Sequence, residues 1–317
     1  MSRKHASIAQ MLETKNEYDR RYTTTDYMKN WGRPRHRRII EVIRSIGLPE
    51  QGRALDYGCG VGFFSTALQE ALPKWEIIGV ETSEAALEGA RETHPEFTFT
   101  TFTEIEGQTF DFVFSHHVLE HVESIEDTAK NIDTLLHKKA WQLHICPCGN
   151  EGSLEFLIAS KKQNGIDTKQ GNRFFYEDPT HLRRLTTMDI EKIFGEYAFH
   201  ISLESYKNHF WGAISWISNS QPVAILRITK HMPLLCITLL VLHALQRPYR
   251  LWWGVWSKKE KTWAHILFLI IACIPAWVLS PVSFALDALV RKEIRKVNTD
   301  TTSLRSGSEL CIVLARE

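Results

Sequence analysis

The sequence lacks an excess of charge of either sign, a Cys-x-x-Cys pair and a signal-peptide pattern. Its 38 lysines and arginines stand against 37 acidic residues, so net charge gives no case for a nucleic-acid partner. Of the six cysteines, only Cys146 and Cys148 lie close together, and this pair is too tight to chelate a metal alone. These features predict a reducing, cytosolic setting and no binding of nucleic acid.

A glycine-rich turn follows the first predicted strand. It lies between an apolar lead-in, 53–55, and a segment with helical spacing of apolar residues, 63–68. Glycine suits such a turn because it tolerates positive φ and lets the backbone approach a ligand closely. The order of strand, glycine turn and helix favours a cofactor cradle, although an ordinary turn of an α/β domain is the alternative. The glycines are Gly58, Gly60 and Gly62.

An acidic residue ends the next predicted strand, 76–80. Glu81 stands where a carboxylate can accept hydrogen bonds from both hydroxyls of a ribose. A dinucleotide site would carry G-x-G-x-x-G and a helix N-terminus for the pyrophosphate. Here Asp56 precedes the glycines, and its carboxylate would repel a pyrophosphate but could help to hold an ammonium group. The pattern therefore fits an adenosyl cofactor better than NAD.

Strands and helices alternate through the following residues. Helical patterns at 83–93 and 125–136 are interleaved with strand patterns at 97–100, 110–115 and 141–146. Such alternation predicts an α/β fold, doubly wound around a mostly parallel sheet, whose ligands bind at the carboxyl ends of the strands.

These residues resemble the class I S-adenosylmethionine-dependent methyltransferases, whose first motif is D/E-x-G-x-G-x-G and whose second strand ends in an acid. The similarity continues in SHHVLEHV, 115–122, and DPTHLRRLT, 178–186. It covers 50–205 and, by strand pattern only, 308–316. The resemblance implies a Rossmann-like, seven-stranded sheet, S-adenosyl-L-methionine as the cofactor and methyl transfer as the activity.

The resemblance also implies which residues bind the cofactor. Many relatives have an aspartate after the third strand that binds adenine, whereas this chain has a threonine-rich stretch around Phe102. We therefore expect backbone groups or stacking on Phe102 to recognise adenine. The predicted cofactor-binding residues are Asp56, Gly58, Cys59, Gly60, Gly62, Glu81, Thr82, Thr101, Phe102, Ser115 and His116.

Three histidines are candidates for a catalytic base. Much of the rate of methyl transfer comes from positioning, but an oxygen or nitrogen acceptor also loses a proton. Imidazole suits this role because its pKa is about 6.5. The candidates are His117, His121 and His181, and each could equally cap a helix or satisfy a core hydrogen bond.

The spacing His117-x-x-Glu120-His121 raises the alternative of a metal site. Residues at i, i+3 and i+4 share one helix face, and imidazole with carboxylate suits a divalent transition ion. The sequence predicts no metal, with these three residues as the candidates if one binds.

The N-terminal arm, 1–50, has a basic, helical pattern. Its densest cluster of charge, 33–38, could cover the cofactor, touch phosphate headgroups or form a solvated face. Three tyrosines could contribute to a lid: Tyr18, Tyr22 and Tyr27.

A long insertion separates the last two predicted strands, 199–206 and 309–316. In the methyltransferase family a short turn joins these strands, so the ends of the insertion should lie close together. The insertion holds seven of the ten tryptophans and two apolar runs. The thirteen residues 233–245 reach only about 20 Å as a helix, short of the roughly 30 Å hydrocarbon core. The run 264–286 is long enough, but two prolines interrupt its helix.

Because both flanking strands belong to one sheet, both ends of the insertion lie on the same side of any membrane. The basic stretch between the apolar runs belongs on the cytoplasmic side. The simplest prediction is a monotopic insertion, with tryptophans at headgroup depth and cations against anionic lipid. A buried helical subdomain or a dimer interface is the alternative. The predicted membrane residues are Trp252, Trp253, Trp256, Trp263, Arg247, Arg250, Lys258, Lys259 and Lys261.

Four segments are thus predicted: the helical arm 1–50, the cofactor-binding core 51–207, the hydrophobic insertion 208–300 and the last strand, 301–317. The predicted function is methyl transfer to a lipid-borne acceptor at the cytoplasmic face of the inner membrane. The acceptor would be a quinone precursor, a polyprenyl-linked glycan or a lipid. The alternatives are a methyltransferase of a small molecule or protein that dimerises through the insertion, and a non-catalytic membrane-binding module. The sequence makes no prediction of oligomeric state.

Overall fold

A computed structural model describes most of the first two hundred residues, the last strand and parts of the insertion. The described residues are 19–20, 22, 33–160, 165–169, 171–175, 177–178, 180–207, 251–252, 255–256, 261–273, 278 and 305–317. Several predictions on the sequence lie outside these residues: the lid tyrosines Tyr18 and Tyr27, the apolar run 233–245, and Trp253, Arg247, Arg250, Lys258 and Lys259.

The main sheet has seven strands in the order β3-β2-β1-β4-β5-β9-β8. Pairing is parallel from β3 through β5, and β9 runs antiparallel to β5. This confirms the predicted α/β fold with a mostly parallel sheet. The strands are β1 (Arg53–Tyr57), β2 (Glu76–Val80), β3 (Thr98–Thr100), β4 (Phe110–His116), β5 (Leu136–Pro147), β8 (His200–Lys207) and β9 (Glu309–Arg316); β6 (Ile166–Asp167) and β7 (Arg173–Phe174) form a second, small sheet.

One helix precedes the first strand, and the others lie in the connections between strands. They are α1 (Arg33–Ser45), α2 (Ser65–Ala71), α3 (Glu84–Thr93), a 3₁₀ helix (Phe102–Ile105), α4 (Ile125–Thr134), α5 (Leu154–Ser160), α6 (Thr187–Gly195) and, in the insertion, α7 over 263–273. Three of these helices have a hydroxyl side chain as the N-cap. A serine or threonine oxygen can accept a hydrogen bond from an otherwise unpaired N–H of the first turn. The residues are Ser83, Ser124 and Thr186, which accept from Ala86, Asp127 and Asp189.

The core lies between the sheet and its helices. Ile39 and Ile43 of α1 are fully buried against Phe112, Phe114 and Val313 of the central strands. Strand β9 lies between β5 and β8, and all of its residues except Arg316 are buried, as its apolar sequence predicts.

The fifth strand begins earlier than its sequence pattern predicts, at Leu136 instead of Trp141. Helix α4 ends at Thr134, and the buried residues Leu135 and Leu136 carry the chain directly into the sheet, where Leu136 pairs with Phe110. The exposed residues 137–139 hide this part of the strand, because they break the apolar pattern.

The chain divides into two compact units. One comprises 1–149, 167–205 and 309–317, and the other comprises 150–166 and 206–308. Within the second unit, the N–H of Ser308 donates to the carbonyl of Lys207 over 2.7 Å. The two ends of the insertion are therefore adjacent, as the sequence predicts.

Part of the insertion has a small core of its own. The ring of Trp252 stacks on that of Trp256 at 5.3 Å, and its Nε1–H donates to the carbonyl of Leu269 over 3.1 Å. Trp252 is only 7% exposed, and its position at headgroup depth stays a prediction. A buried indole needs an acceptor for its N–H, and α7 supplies one. Within the described residues, no helix combines the length and the hydropathy needed to cross a bilayer.

Candidate active site

The glycine turn lies at the carboxyl edge of the sheet, where the parallel strands end. The φ angles of Gly58, Gly60 and Gly62 are 77°, 54° and 78°, which side chains with a Cβ rarely adopt. A Cβ on Gly58 would lie 2.5 Å from Val118 Cγ2, and one on Gly62 would lie 2.6 Å from Phe99 Cζ. Both conformation and packing therefore require glycine at positions 58 and 62.

Glu81, just after β2, faces this turn. Its Oε2 accepts from the N–H of Gly60 over 3.1 Å, and its Oε1 accepts from the N–H groups of Thr82 and Ser83 over 2.6 and 3.1 Å. The hydroxyl of Thr82 donates to the same Oε1 over 3.1 Å. A partly exposed carboxylate is thus held beside the turn, at the carboxyl ends of β1 and β2, which is the edge where α/β sheets bind ligands.

Asp56 lies deeper than a simple ligand-binding carboxylate. It is 2% exposed, and its Oδ2 accepts from the hydroxyl of Ser65 over 2.7 Å. Burial raises the pKa of Asp56 to about 7, against the opposing effect of the Ser65 hydrogen bond. Asp56 therefore joins β1 to the start of α2, and contact with an ammonium group stays a prediction.

The other predicted cofactor residues divide between the edge and the interior. Thr101 begins the 3₁₀ helix, and its side chain pairs with Glu104. Phe102 packs edge to face on Tyr57, with ring centroids 4.8 Å apart. Cys59 is buried beside the turn.

Two of the predicted cofactor residues, Ser115 and His116, lie in the interior of the protein. The Ser115 hydroxyl, fully buried in β4, lies 2.7 Å from His144 Nδ1. His116 is buried and stacks on Phe64 at 4.3 Å, and burial holds its pKa well below the ordinary value. These two side chains therefore lie beneath the edge and not at its surface.

His117 bridges two carboxylates. Its Nδ1 lies 2.8 Å from Glu120 Oε1, and its Nε2 lies 3.3 Å from Glu309 Oε2. Burial alone would lower its pKa, but the two carboxylates raise the pKa of His117 to about 9. Both ring nitrogens of His117 thus face carboxylates, and its role as a general base stays a prediction.

His121 and His181 lie together, with ring centroids 4.6 Å apart. His121 Nδ1 is 3.0 Å from the carbonyl oxygen of Thr180, and His181 Nδ1 is 2.9 Å from Glu177 Oε1. Burial lowers the pKa of His121 to about 4, so its ring is neutral at physiological pH. These two histidines stay candidates for accepting a proton.

Glu309 is the site residue that sequence reasoning missed. It opens β9, pairs with Pro147 at the end of β5, and so reaches the carboxyl edge because β9 is antiparallel. Arg35 and Arg38 of α1 lie 3.7 and 3.9 Å from its carboxylate. Two cations of the arm therefore face a buried acid instead of a solvent-exposed surface. The available signal was a single acid at the start of an otherwise apolar strand.

Comparison with known proteins identifies the family. The model of a family described as a methyltransferase domain matches residues 31–202. The chain belongs to this family of class I methyltransferases, and the family's cofactor is S-adenosylmethionine.

Individual relatives are more distant. The chain is 37% identical over 65 residues to a trans-aconitate 2-methyltransferase of Variovorax paradoxus (strain S110), which covers 20% of this chain and 25% of that enzyme. The chain thus spans a quarter of that curated relative. A putative sarcosine dimethylglycine methyltransferase from Galdieria sulphuraria is 10% identical, with a TM-score of 0.47 over 89% of this chain and 85% of that one. YcgJ from Bacillus subtilis is 16% identical, with a TM-score of 0.46 over 62% of this chain and 83% of that one.

The residues at the edge fit the cofactor. Glu81 offers carboxylate oxygens for the hydroxyls of a ribose, and the glycine turn offers backbone that a ligand can approach without meeting a Cβ. When bound, the cofactor supplies an electrophilic methyl group. The chain's own task is then to position an acceptor.

Proposed function

We propose that this protein is an S-adenosylmethionine-dependent methyltransferase that works at a membrane surface and methylates an oxygen or nitrogen of a lipid-borne acceptor. The family and the glycine turn support the reaction. The insertion supports the place and the class of acceptor, because an enzyme anchored in the interface meets substrates that stay in the bilayer.

The observation that carries the membrane part is an exposed apolar face on α7. Trp263 is 85% exposed, and Leu267, Ile270 and Ile271 are more than half exposed. Their spacing of i, i+4, i+7 and i+8 puts them on one side of the helix. Leu269, whose carbonyl accepts from Trp252, lies on the opposite side and packs in the small core of the insertion. Contiguous exposed apolar surface of this kind marks an interaction site.

Aromatic and basic groups near this face suit a lipid headgroup region. Trp256 is about half exposed, and the Lys261 ammonium lies 5.7 Å from the centroid of its ring. Tryptophan prefers the membrane interface, and lysine is attracted to anionic lipid. The basic stretch before α7 favours the cytoplasmic leaflet as the docking surface.

Binding to vesicles tests the membrane part. We expect the full chain to sediment with phosphatidylcholine vesicles that contain phosphatidylglycerol. Ile270→Glu combined with Ile271→Glu should lower the partition coefficient at least tenfold, since burying these two largely exposed isoleucines contributes roughly 2 kcal/mol. The matched control is Met188→Glu, which alters an equally exposed apolar residue on α6 and should leave partitioning within about twofold of wild type.

Failure of the wild-type chain to bind these vesicles would overturn the membrane proposal, and so would equal binding by the double variant. If the double variant instead changes a monomer–dimer equilibrium in sedimentation velocity, the exposed face serves dimerisation.

The acceptor is tested separately with isotope-labelled S-adenosylmethionine. The enzyme is incubated with total membrane lipid, and the organic phase is searched by mass spectrometry for a species that carries the labelled methyl group. Label that appears only in water-soluble products or in protein would exclude a lipid-borne acceptor while leaving methyl transfer intact.

A further inference from the structure

Two histidines and one carboxylate converge at the carboxyl edge from two separate segments. One carboxylate oxygen of Glu120 and one ring nitrogen from each of His121 and His181 lie within 4.8 Å of one another. The N–H of Leu182 donates to the carbonyl of Glu120 over 2.8 Å, so the backbone fastens the two segments together at the cluster itself. The guanidinium of Arg183 also donates a hydrogen bond to the carbonyl of Glu123 over 2.7 Å.

The tautomers of both histidines are fixed by acceptors behind them. A carbonyl oxygen only accepts, so the contact with Thr180 puts the proton of neutral His121 on Nδ1 and its lone pair on Nε2. The carboxylate of Glu177 likewise accepts from Nδ1 of His181 and leaves the lone pair of the neutral ring on Nε2. Glu177 is itself held by Arg184, whose Nε and Nη2 lie 2.6 and 3.2 Å from its oxygens. Acceptors placed in this way are how proteins orient metal-binding imidazoles.

Glu120 supplies the negative charge that a cation needs. Its side chain is 0% exposed, and its Oε1 accepts from His117. Its Oε2 is buried and has no hydrogen-bond partner among the described residues. A buried carboxylate oxygen without a partner is costly, and a bound cation would satisfy it.

We propose that Glu120, His121 and His181 bind a divalent transition-metal ion, with zinc as the best match. Imidazole nitrogen and carboxylate oxygen are ordinary zinc ligands, and three protein ligands leave a fourth position open. Zinc bonds of about 2.0–2.2 Å place tetrahedral ligand atoms roughly 3.4 Å apart. His121 Nε2 lies 3.9 Å from Glu120 Oε1 and the three ligand atoms lie within 4.8 Å of one another, so binding requires these side chains to move closer together.

This set differs from the one that the sequence spacing suggests, because His181 takes the place of His117. Both nitrogens of His117 face carboxylates and act as donors, which leaves the ring no lone pair for a metal. A second group, His116, His117 and Glu309, is also close enough to hold an ion. There, however, Arg35 and Arg38 already supply positive charge to Glu309, and they would repel a divalent cation.

The open position suggests a role for the ion. An acceptor oxygen bound there would lose its proton more readily, because a metal lowers the pKa of a bound hydroxyl. This role rests on the proposed methyl transfer, whereas metal binding does not.

Calorimetry tests the binding itself. The full-length protein is stripped with a chelator and titrated with zinc chloride, in the absence of any methyl acceptor. We expect one equivalent to bind, with the dissociation constant raised at least tenfold in Glu120→Gln and in His181→Ala. Glu177→Gln should weaken binding roughly tenfold to hundredfold by releasing the His181 ring. The matched control is His94→Ala, which removes a histidine paired with Glu96 elsewhere on the protein and should bind zinc as wild type does.

Loss of less than tenfold in either Glu120→Gln or His181→Ala overturns the proposal, as does the absence of stoichiometric binding. A cobalt(II) spectrum of the wild-type protein gives a test that needs no variant to fold. Ligand-field bands without sulfur-to-cobalt charge transfer are expected, and charge transfer from a thiolate would move the site to a cysteine and overturn the assignment. Because no step of these measurements involves methyl transfer, their outcome is independent of the proposed function.

Discussion

His117 Nε2 lies 3.3 Å from Glu309 Oε2, and this contact joins the end of β4 to the start of β9. With Glu120 on the other ring nitrogen, one imidazolium separates two buried carboxylates. The arrangement stabilises the fold below the unfolded-state pKa of histidine, about 6.5, and this stabilisation is lost as pH rises through the folded-state pKa of about 9.

The first prediction concerns that ion pair. Glu309→Gln should lower the pKa of His117 from about 9 toward the ordinary value, because one of the two carboxylates disappears while burial remains. The measurement is NMR titration of labelled histidine side chains. Glu70→Gln, which alters an exposed partner of His36, should leave the His117 titration unchanged. A His117 curve that is identical in Glu309→Gln and wild type would show that the contact does not exist in solution.

The second prediction concerns the cofactor. Glu81→Ala should raise the dissociation constant of S-adenosylmethionine at least tenfold, or about 1.4 kcal/mol, because the ribose loses its acceptor. Calorimetry measures it. The matched control is Glu76→Ala, at the other end of the same strand, which removes a surface ion pair with Arg53. It should bind S-adenosylmethionine within about twofold of wild type, because exposed ion pairs contribute little. Equal affinity in both variants would remove Glu81 from the cofactor site.

Sequence reasoning placed the strands and the glycine turn well, because both depend on local patterns. Strand β2 and strand β9 match their predicted bounds, since an apolar run that is buried on both faces leaves a clear trace in the sequence. The positive φ angles of the turn follow from its glycines.

Charge partnerships could not be read in the same way, because they depend on which segments meet in space. Nothing local pairs Arg38 with Glu309, or puts His181 beside His121. The raised pKa of His117 depends on Glu309 as well as on the neighbouring Glu120, so the spacing alone could not predict it. The burial of Trp252 could not be predicted for a related reason, since the carbonyl that receives its N–H belongs to Leu269 of a later helix.

The third prediction concerns Gly58. Gly58→Ala should destabilise the protein by more than the roughly 1–2 kcal/mol that positive φ alone costs, because the added Cβ would also lie 2.5 Å from Val118 Cγ2. Gly107→Ala is the matched control, since φ is +79° there and no atom lies within 4 Å of the added Cβ. Urea unfolding measures both. In a double-mutant cycle, Val118→Ala should recover the extra loss at Gly58, and a coupling energy of zero would contradict the packing argument.

The fourth prediction concerns the insertion. Because Ser308 and Lys207 are hydrogen-bonded neighbours, a short Asn-Gly turn in place of 208–306 should preserve the last two strands. The shortened chain should bind S-adenosylmethionine as the full chain does and should no longer sediment with anionic vesicles. Circular dichroism and calorimetry report the first result, and sedimentation the second. A shortened chain that fails to fold would mean that the insertion forms part of the core.

The last prediction concerns pH and Asp56. Burial raises the pKa of this carboxyl from 3.8 to about 7, so the folded protein retains a proton that the unfolded chain releases. The resulting stabilisation is fully present below pH about 4 and is lost as pH rises through about 7. The free energy of unfolding of the cofactor-free protein should therefore fall over this interval.

Asp56→Asn imitates the protonated carboxyl and keeps an acceptor for Ser65, so it should remove this contribution to the dependence of stability on pH. The matched control is Asp127→Asn, on the exposed first turn of α4, which should keep the wild-type dependence of the free energy of unfolding on pH. Urea unfolding measures this dependence between about pH 4.5 and 7.5, which spans roughly the interval between the two pKa values. Identical slopes in wild type and Asp56→Asn would show that the carboxyl is ionised in the folded state despite its burial.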